Sequence, residues 1–81
     1  MKYMVADLMF SAIKVWHDSG MICILLSDHK EIRFPASLNK RLAKASESEL
    51  SKIEITCNGT GLHWPDLDED LSIKGIMEGR N

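Results

Sequence analysis

The stretch "AIKVWHDSGMICILLSDHKEIRFP", Ala12 to Pro35, restricts the fold of this chain more than any other. Its apolar or alternating runs are too short for helices, and each is cut by turn-forming residues. "AIKVWH" places Ile13, Val15 and His17 on one face against Lys14 and Trp16, and "DSG" closes a tight turn. "MICILLS" is apolar on both faces, as a central strand is. After "DHK", "EIRFP" puts Ile32 and Phe34 on one side and Glu31 and Arg33 on the other. Pro35 ends that strand, because it has no amide to give to a ladder. A three-stranded antiparallel meander is the economical reading.

The next segment, "ASLNKRLAKASESELSK", is helical in pattern but does not fit one straight helix. Leu38, Leu42 and Ala45 share a stripe, whereas Leu50 would fall about 120° away from Leu38. Ser46-Glu47-Ser48-Glu49 is a capping box, so a first helix capped by Ser37 should stop near Ala45 and a second should begin at Ser46. "IEITC" alternates again, with Ile53, Ile55 and Cys57 on one face. Asn58-Gly59 predicts a two-residue hairpin turn, because both central positions of that turn need positive φ. The return strand is Gly61 to Trp64, Pro65 takes the chain out of the sheet, and Ser72 caps a last short helix ending at Gly79. The expectation is an α+β domain with a small antiparallel sheet, in the order β-β-β-α(-α)-β-β-α.

At 81 residues the chain makes a single domain, with residues 1–9 as a lead-in of uncertain order. That lead-in is apolar, but Asp7 and Lys14 interrupt the run, no cleavage site follows, and no window reaches the ~20 apolar residues of a membrane span. Cys23 and Cys57 have no CxxC spacing and sit in strand-like runs, so both are expected as reduced core thiols of a cytoplasmic protein. Charge is unevenly spread. Through Lys44 there are seven basic and four acidic residues, giving +3; from Ala45 onward three basic and eight acidic residues give -5. Such a dipolar surface argues against a uniformly basic nucleic-acid binder.

Half of that acidity lies in "GLHWPDLDEDLS", where Asp66, Asp68, Glu69 and Asp70 crowd into five positions. Asp66-x-Asp68-x-Asp70 imitates the start of a calcium loop. Leu71 stands where such a loop needs glycine and Met77 where it needs a bidentate glutamate, so no metal and no other cofactor is expected. Nothing nearby predicts the desolvated pocket that would split two carboxylates into acid and base. Asp70, two residues before the Ser72 cap, is expected to accept backbone amides near the helix start. Asp66, Asp68 and Glu69 are expected to be exposed, with no cationic mate nearer than Lys74. Trp64 is expected to be buried with its N–H bonded locally, tying the last hairpin to the final helix. His63 beside it reads first as a packed strand residue and second as part of a binding surface. Arg33, Lys40, Arg41 and Lys44 form a basic strip that could touch phosphate, although a solvated helix face explains it as well.

"RFPASLNKRLAKASESE" and "GLHWPDLDEDLSIKGIMEG" together resemble the small bacterial domain-of-unknown-function family 2442. Its members typically show an extended segment ending in proline, an "RL..A" helix and a closing G-(I/L)-H-W motif followed by D-E-D-(I/L)-S. The resemblance runs from about Ile13 to Gly79, departing at Asp28-His29, where the family usually has Asp-Gly, and in the lead-in. It implies no established activity. The family's genes often neighbour those of a second small family in what looks like a toxin–antitoxin arrangement, and longer relatives append a helix-turn-helix domain, which is not expected within these residues. The resulting expectation is a non-enzymatic, antitoxin-like protein-binding module with a small basic partner. Asp66, Asp68, Glu69 and His63 would form its docking face, and Gly59, Trp64, Asp70 and Ser72 its structural supports. The alternative is a nucleic-acid or regulatory accessory domain using Arg33, Lys40, Arg41 and Lys44. Nucleic acid is not expected for this chain alone, and self-association is left open.

Overall fold

The computed structural model describes residues 11–78. The lead-in and the Gly79 helix end lie outside the described residues. The meander is present: β1 (Ala12–Asp18), β2 (Met21–Leu26) and β3 (Glu31–Pro35) form an antiparallel sheet in the order β1-β2-β3. The first turn is the two-residue type, with Ser19 and Gly20 between paired Asp18 and Met21 and φ values of 50° and 83°. Positive φ at both positions matches the right-handed twist of the strands it joins. The second turn holds His29 at φ 72°, a conformation glycine adopts without a Cβ penalty. The Lys30 amide donates to Asp28 there at 3.1 Å.

Ile13 departs from expectation. The pairing shifts between Ala12 and Lys14, a bulge that puts one extra residue into β1. The inward alternation is interrupted there, so Ala12 is buried and Ile13 is 55% exposed.

A 3-10 turn over Ala36–Leu38 leads into α1 (Lys40–Ala43), and α2 (Glu47–Ser51) follows. The break between the helices and the Ser46/Glu49 capping box are as expected. The cap of the first helix is not Ser37 but Asn39, whose side-chain oxygen accepts from the amides of Arg41 and Leu42. Because the α-helix begins only at Lys40, Leu38 misses the Leu42 stripe and is 63% exposed, while Ala36 is buried in its place.

The second half forms a separate three-stranded antiparallel sheet, β4 (Glu54–Thr56), β5 (Gly61–Trp64) and β6 (Glu69–Ser72), followed by α3 (Ile73–Met77). The α+β class and the order of the expected elements hold; β6 is an additional strand. The chain does not leave the sheet for good at Pro65 but turns and pairs back along β5, Trp64 opposite Glu69 and Gly61 opposite Ser72. The β4–β5 connection is also longer than a two-residue turn, because Thr56 pairs with Gly61 and Cys57, Asn58 and Gly59 all take positive φ. Gly59 is buried there, and a Cβ would come within 3.0 Å of the Ala12 carbonyl and the Ser11 side chain. Cys57 therefore turns out of the strand and is exposed, not core, and Ile55 is 38% exposed.

The sheets approach one another through β1 and β4. One core unites Ile22, Ile24, Leu26 and Phe34 of the first sheet with Leu42 and Leu50 of the helices, and with Leu62, Trp64, Ile73 and Ile76. Among the described residues no helix is long and apolar enough to cross a membrane.

Candidate functional site

The acidic stretch is a hairpin turn whose main chain is held on several sides. Pro65, Asp66, Leu67 and Asp68 connect paired Trp64 and Glu69. The Leu67 amide donates to the Trp64 carbonyl at 3.1 Å, and Asp68 follows at φ 51°, a left-handed residue that turns the chain into β6. Aspartate tolerates this conformation better than most side chains. Leu67 packs against the core, which fixes the middle of the loop from below.

Arg41 of α1 holds the loop from the side. Its Nη1 donates to the carbonyls of Leu67 and Asp68, each at 3.2 Å. One planar cation thereby serves two loop carbonyls that β pairing leaves free. Asn39 joins the same elements: it is buried, its oxygen accepts from two helix amides, and its Nδ2 donates to Glu69 Oε2 at 2.9 Å. Trp64 is wholly buried, and its Nε1 donates to the Leu50 carbonyl at 3.2 Å. Its burial is as expected, but its bond is not local: it reaches back fourteen residues and ties the hairpin to the end of α2, not to the final helix. The Leu50 carbonyl lies among the last carbonyls of α2, which lack partners inside the helix.

The four carboxylates occupy different environments. Asp66 is exposed and paired with Lys52 at 3.0 Å, so its cationic mate comes from the turn after α2 and not from Lys74. Glu69 is half-buried and bonded to Asn39, and so is a structural residue as much as a surface one. Asp68 is exposed at the tip. Asp70 does not cap the last helix. It lies in β6 opposite His63, with its Oδ1 2.8 Å from His63 Nδ1 and its side chain 75% exposed. The reason is the unexpected strand: β pairing points Asp70 across the ladder, while Ser72 alone takes the Gly75 amide, at 2.9 Å.

The basic strip is only partly available. Arg33 lies in β3 and is paired with Glu31 at 2.6 Å, while Arg41 is committed to the acidic loop. Lys40 and Lys44 are exposed. Cys23 is fully buried, and desolvation pushes its thiol above the ordinary value of 9.0, with the nearby Arg33 charge opposing the shift, so it is an inert thiol below that pH. Among the described residues no group of three or more His, Cys, Asp or Glu side chains is placed to hold a metal ion.

Asn39 and Lys52 are the contributors that sequence reasoning missed. Asn39 carries a readable signal, since it is as good a cap as Ser37 and stands three residues before Leu42. Lys52 carries none, because its approach to Asp66 depends on how the two halves pack.

The profile for proteins of unknown function designated DUF2442 matches residues 12–81. The chain belongs to this family. No curated protein matches it. Among solved structures it is similar to a protein of unknown function from Rhodospirillum rubrum, with 38% identity, a TM-score of 0.81, and 85% of this chain and 86% of that one covered. An uncharacterised protein from Chromobacterium violaceum, determined by solution NMR, shares 30% identity over 86% of this chain and 66% of its own, with a TM-score of 0.76.

Proposed function

We propose that the chain is a cytoplasmic, non-enzymatic protein-binding module of antitoxin type, and that it presents the Pro65–Asp70 hairpin to a basic partner. The observation that carries this reading is a pre-set backbone with its charges outward: Arg41, Leu67 and the Trp64–Glu69 pairing hold the turn, while Asp66, Asp68 and Asp70 stay exposed. A loop ordered before encounter loses little conformational entropy on binding. Its clustered charge speeds association with a basic surface. His63, held by Asp70, lies beside the same edge and completes the docking face.

Capture of partners from the native host by the tagged full chain, followed by kinetic measurement on the protein recovered, tests the reading. Neutralising Asp66 and Asp68 together should slow association and flatten its salt dependence while leaving folding intact. Glu69 is omitted from that pair because of its bond to Asn39. Association unchanged at low salt would overturn the docking role. The nucleic-acid reading rests on exposed Lys40 and Lys44, since Arg33 and Arg41 are already engaged. Retention on duplex DNA or RNA that disappears in Lys40→Glu/Lys44→Glu, with no protein captured, would favour it instead.

A further inference from the structure

The outer face of the first sheet is built differently from the core face. Strand alternation sends Ile22 and Ile24 into the common core and turns Cys23 and Leu25 the other way, and Cys23, though fully buried, lies outside that core cluster. Pairing across the sheet arranges this face in rows. Lys14 is opposite Leu25, which is opposite Glu31; Trp16 is opposite Cys23, which is opposite Arg33. Each row therefore runs from one edge strand to the other through an apolar centre: cation–apolar–anion in the first, aromatic–thiol–cation in the second. Among the described residues, the close partners of these charges lie on their own strands, Arg33 with Glu31 at 2.6 Å and Lys14 over the Trp16 ring at 5.3 Å.

We propose that this face is a self-complementary interface for a second copy of the chain. A two-fold axis running along β2 in the plane of contact lays β1 of one copy over β3 of the other at the same height along the strands. Lys14 then faces Glu31 of the second copy and Trp16 faces its Arg33, each pairing occurring twice, with half-buried Leu25 meeting its own image on the axis and Cys23, already buried within each copy, lying beneath the contact. Opposite charges meet in the first row, and a guanidinium meets an indole in the second. Reversing the relation, with the axis perpendicular to β2, would break both matches, so the charge pattern selects one arrangement. Strand spacing and residue rise give a patch of roughly 300 Å² on each copy with the row at the turn end included, about 600 Å² in total, which is small and fits a weak, reversible dimer held by its charge pattern. This interface does not involve the acidic hairpin, so the dimer and the docking role stand or fall separately.

The test is sedimentation equilibrium of the full chain across the micromolar to submillimolar range, with circular dichroism melting to confirm folding. Lys14 and Glu31 are both exposed, so their reversal leaves the core untouched. Lys14→Glu and Glu31→Lys should each weaken dimerisation by about tenfold or more, since each turns two attractive pairs repulsive. Combining Lys14→Glu with Glu31→Lys should restore it. Trp16→Ala should also yield monomer. A wild-type chain that is monomeric at submillimolar concentration overturns the proposal, as does a dimer that survives both single reversals. Failure of the double reversal to recover the dimer overturns the stated arrangement of the two copies.

Discussion

Replacing Asn39 with alanine should be among the most destabilising polar substitutions in this domain. The side chain is 5% exposed and makes three bonds, accepting from the amides of Arg41 and Leu42 and donating to Glu69. Loss of a helix cap costs about 1 kcal/mol, with a range of roughly 0.5 to 2. The bond to the Glu69 carboxylate adds about 1 to 1.5 kcal/mol, taken at the low end for a charged acceptor because Glu69 is only half-buried. The total is about 2 to 3 kcal/mol, against an expected stability of roughly 4 to 12 for a chain of this size. For so small a domain that is a fall in Tm of about 10 to 20 °C. Asn39→Asp separates the two contributions. An aspartate keeps both cap bonds but faces Glu69 carboxylate to carboxylate, so it should lose stability near neutral pH and recover some of it when Glu69→Gln supplies a donor. Melting curves by circular dichroism provide the assay. An alanine variant melting within about 3 °C of wild type, or an Asn39→Asp/Glu69→Gln double variant no more stable than Asn39→Asp alone, would refute the reasoning.

Three further outcomes follow from particular residues. His29→Gly should raise stability by about 0.5 kcal/mol, because relief of the φ 72° conformation, about 1 to 2 kcal/mol, outweighs the added freedom of the unfolded chain; a lower Tm would mean the imidazole itself contributes. Trp64→Phe retains most of the buried ring but strands the Leu50 carbonyl, so chemical denaturation should report a loss of about 1 to 3 kcal/mol, against about 3 to 5 for Trp64→Ala. Cys23 gives a pH dependence: its folded pKa is raised above 9.0, chiefly by desolvation, so the folded state holds the proton longer than the unfolded one. Its contribution is complete below pH 9.0 and is lost as pH rises through the folded value, and Cys23→Ala should flatten the alkaline fall in stability seen by urea titration.

The parts of the fold that could be read from sequence are those in which local chemistry and tertiary packing agree. The meander was legible because each turn has its own signal and β2 is apolar on both faces. The capping box at Ser46 and Glu49 was legible because its bonds span only three residues. The errors occur where distant contacts decide. Ser37 and Asn39 are equally good caps in isolation, and Glu69, thirty residues further on, favours Asn39 by accepting its amide. Asn58-Gly59 takes positive φ as its composition suggests, but Cys57 joins it, and the close packing of Gly59 on Ser11 and Ala12 accompanies a longer loop. Strand β6 is hard to read from sequence because acidic residues are poor strand formers, although Leu71 and Ile73 alternate with Asp70 and Ser72.

That strand changes what the acidic residues can do. As an extended approach to a helix, four carboxylates would be mobile and largely interchangeable. As a hairpin, they are sorted by position: Glu69 is bonded inward, Asp70 is bonded across to His63, Asp66 is paired with Lys52, and Asp68 lies at the exposed tip. Pairing does not neutralise the region. Against Asp66, Asp68, Glu69 and Asp70 the contacts among the described residues bring two full cations, Lys52 and Arg41, so within these residues a local charge near -2 persists while His63 is neutral. The Lys52–Asp66 pair is itself exposed, and such pairs contribute about 0 to 1 kcal/mol, little enough for a partner's cation to displace Lys52. Lys52→Ala should therefore leave stability nearly unchanged and hasten capture of a basic partner by freeing Asp66. Binding that slows in Lys52→Ala, measured at low salt where the field reaches furthest, would mean that Lys52 belongs to the contact surface and that the hairpin is not read by its negative charge alone.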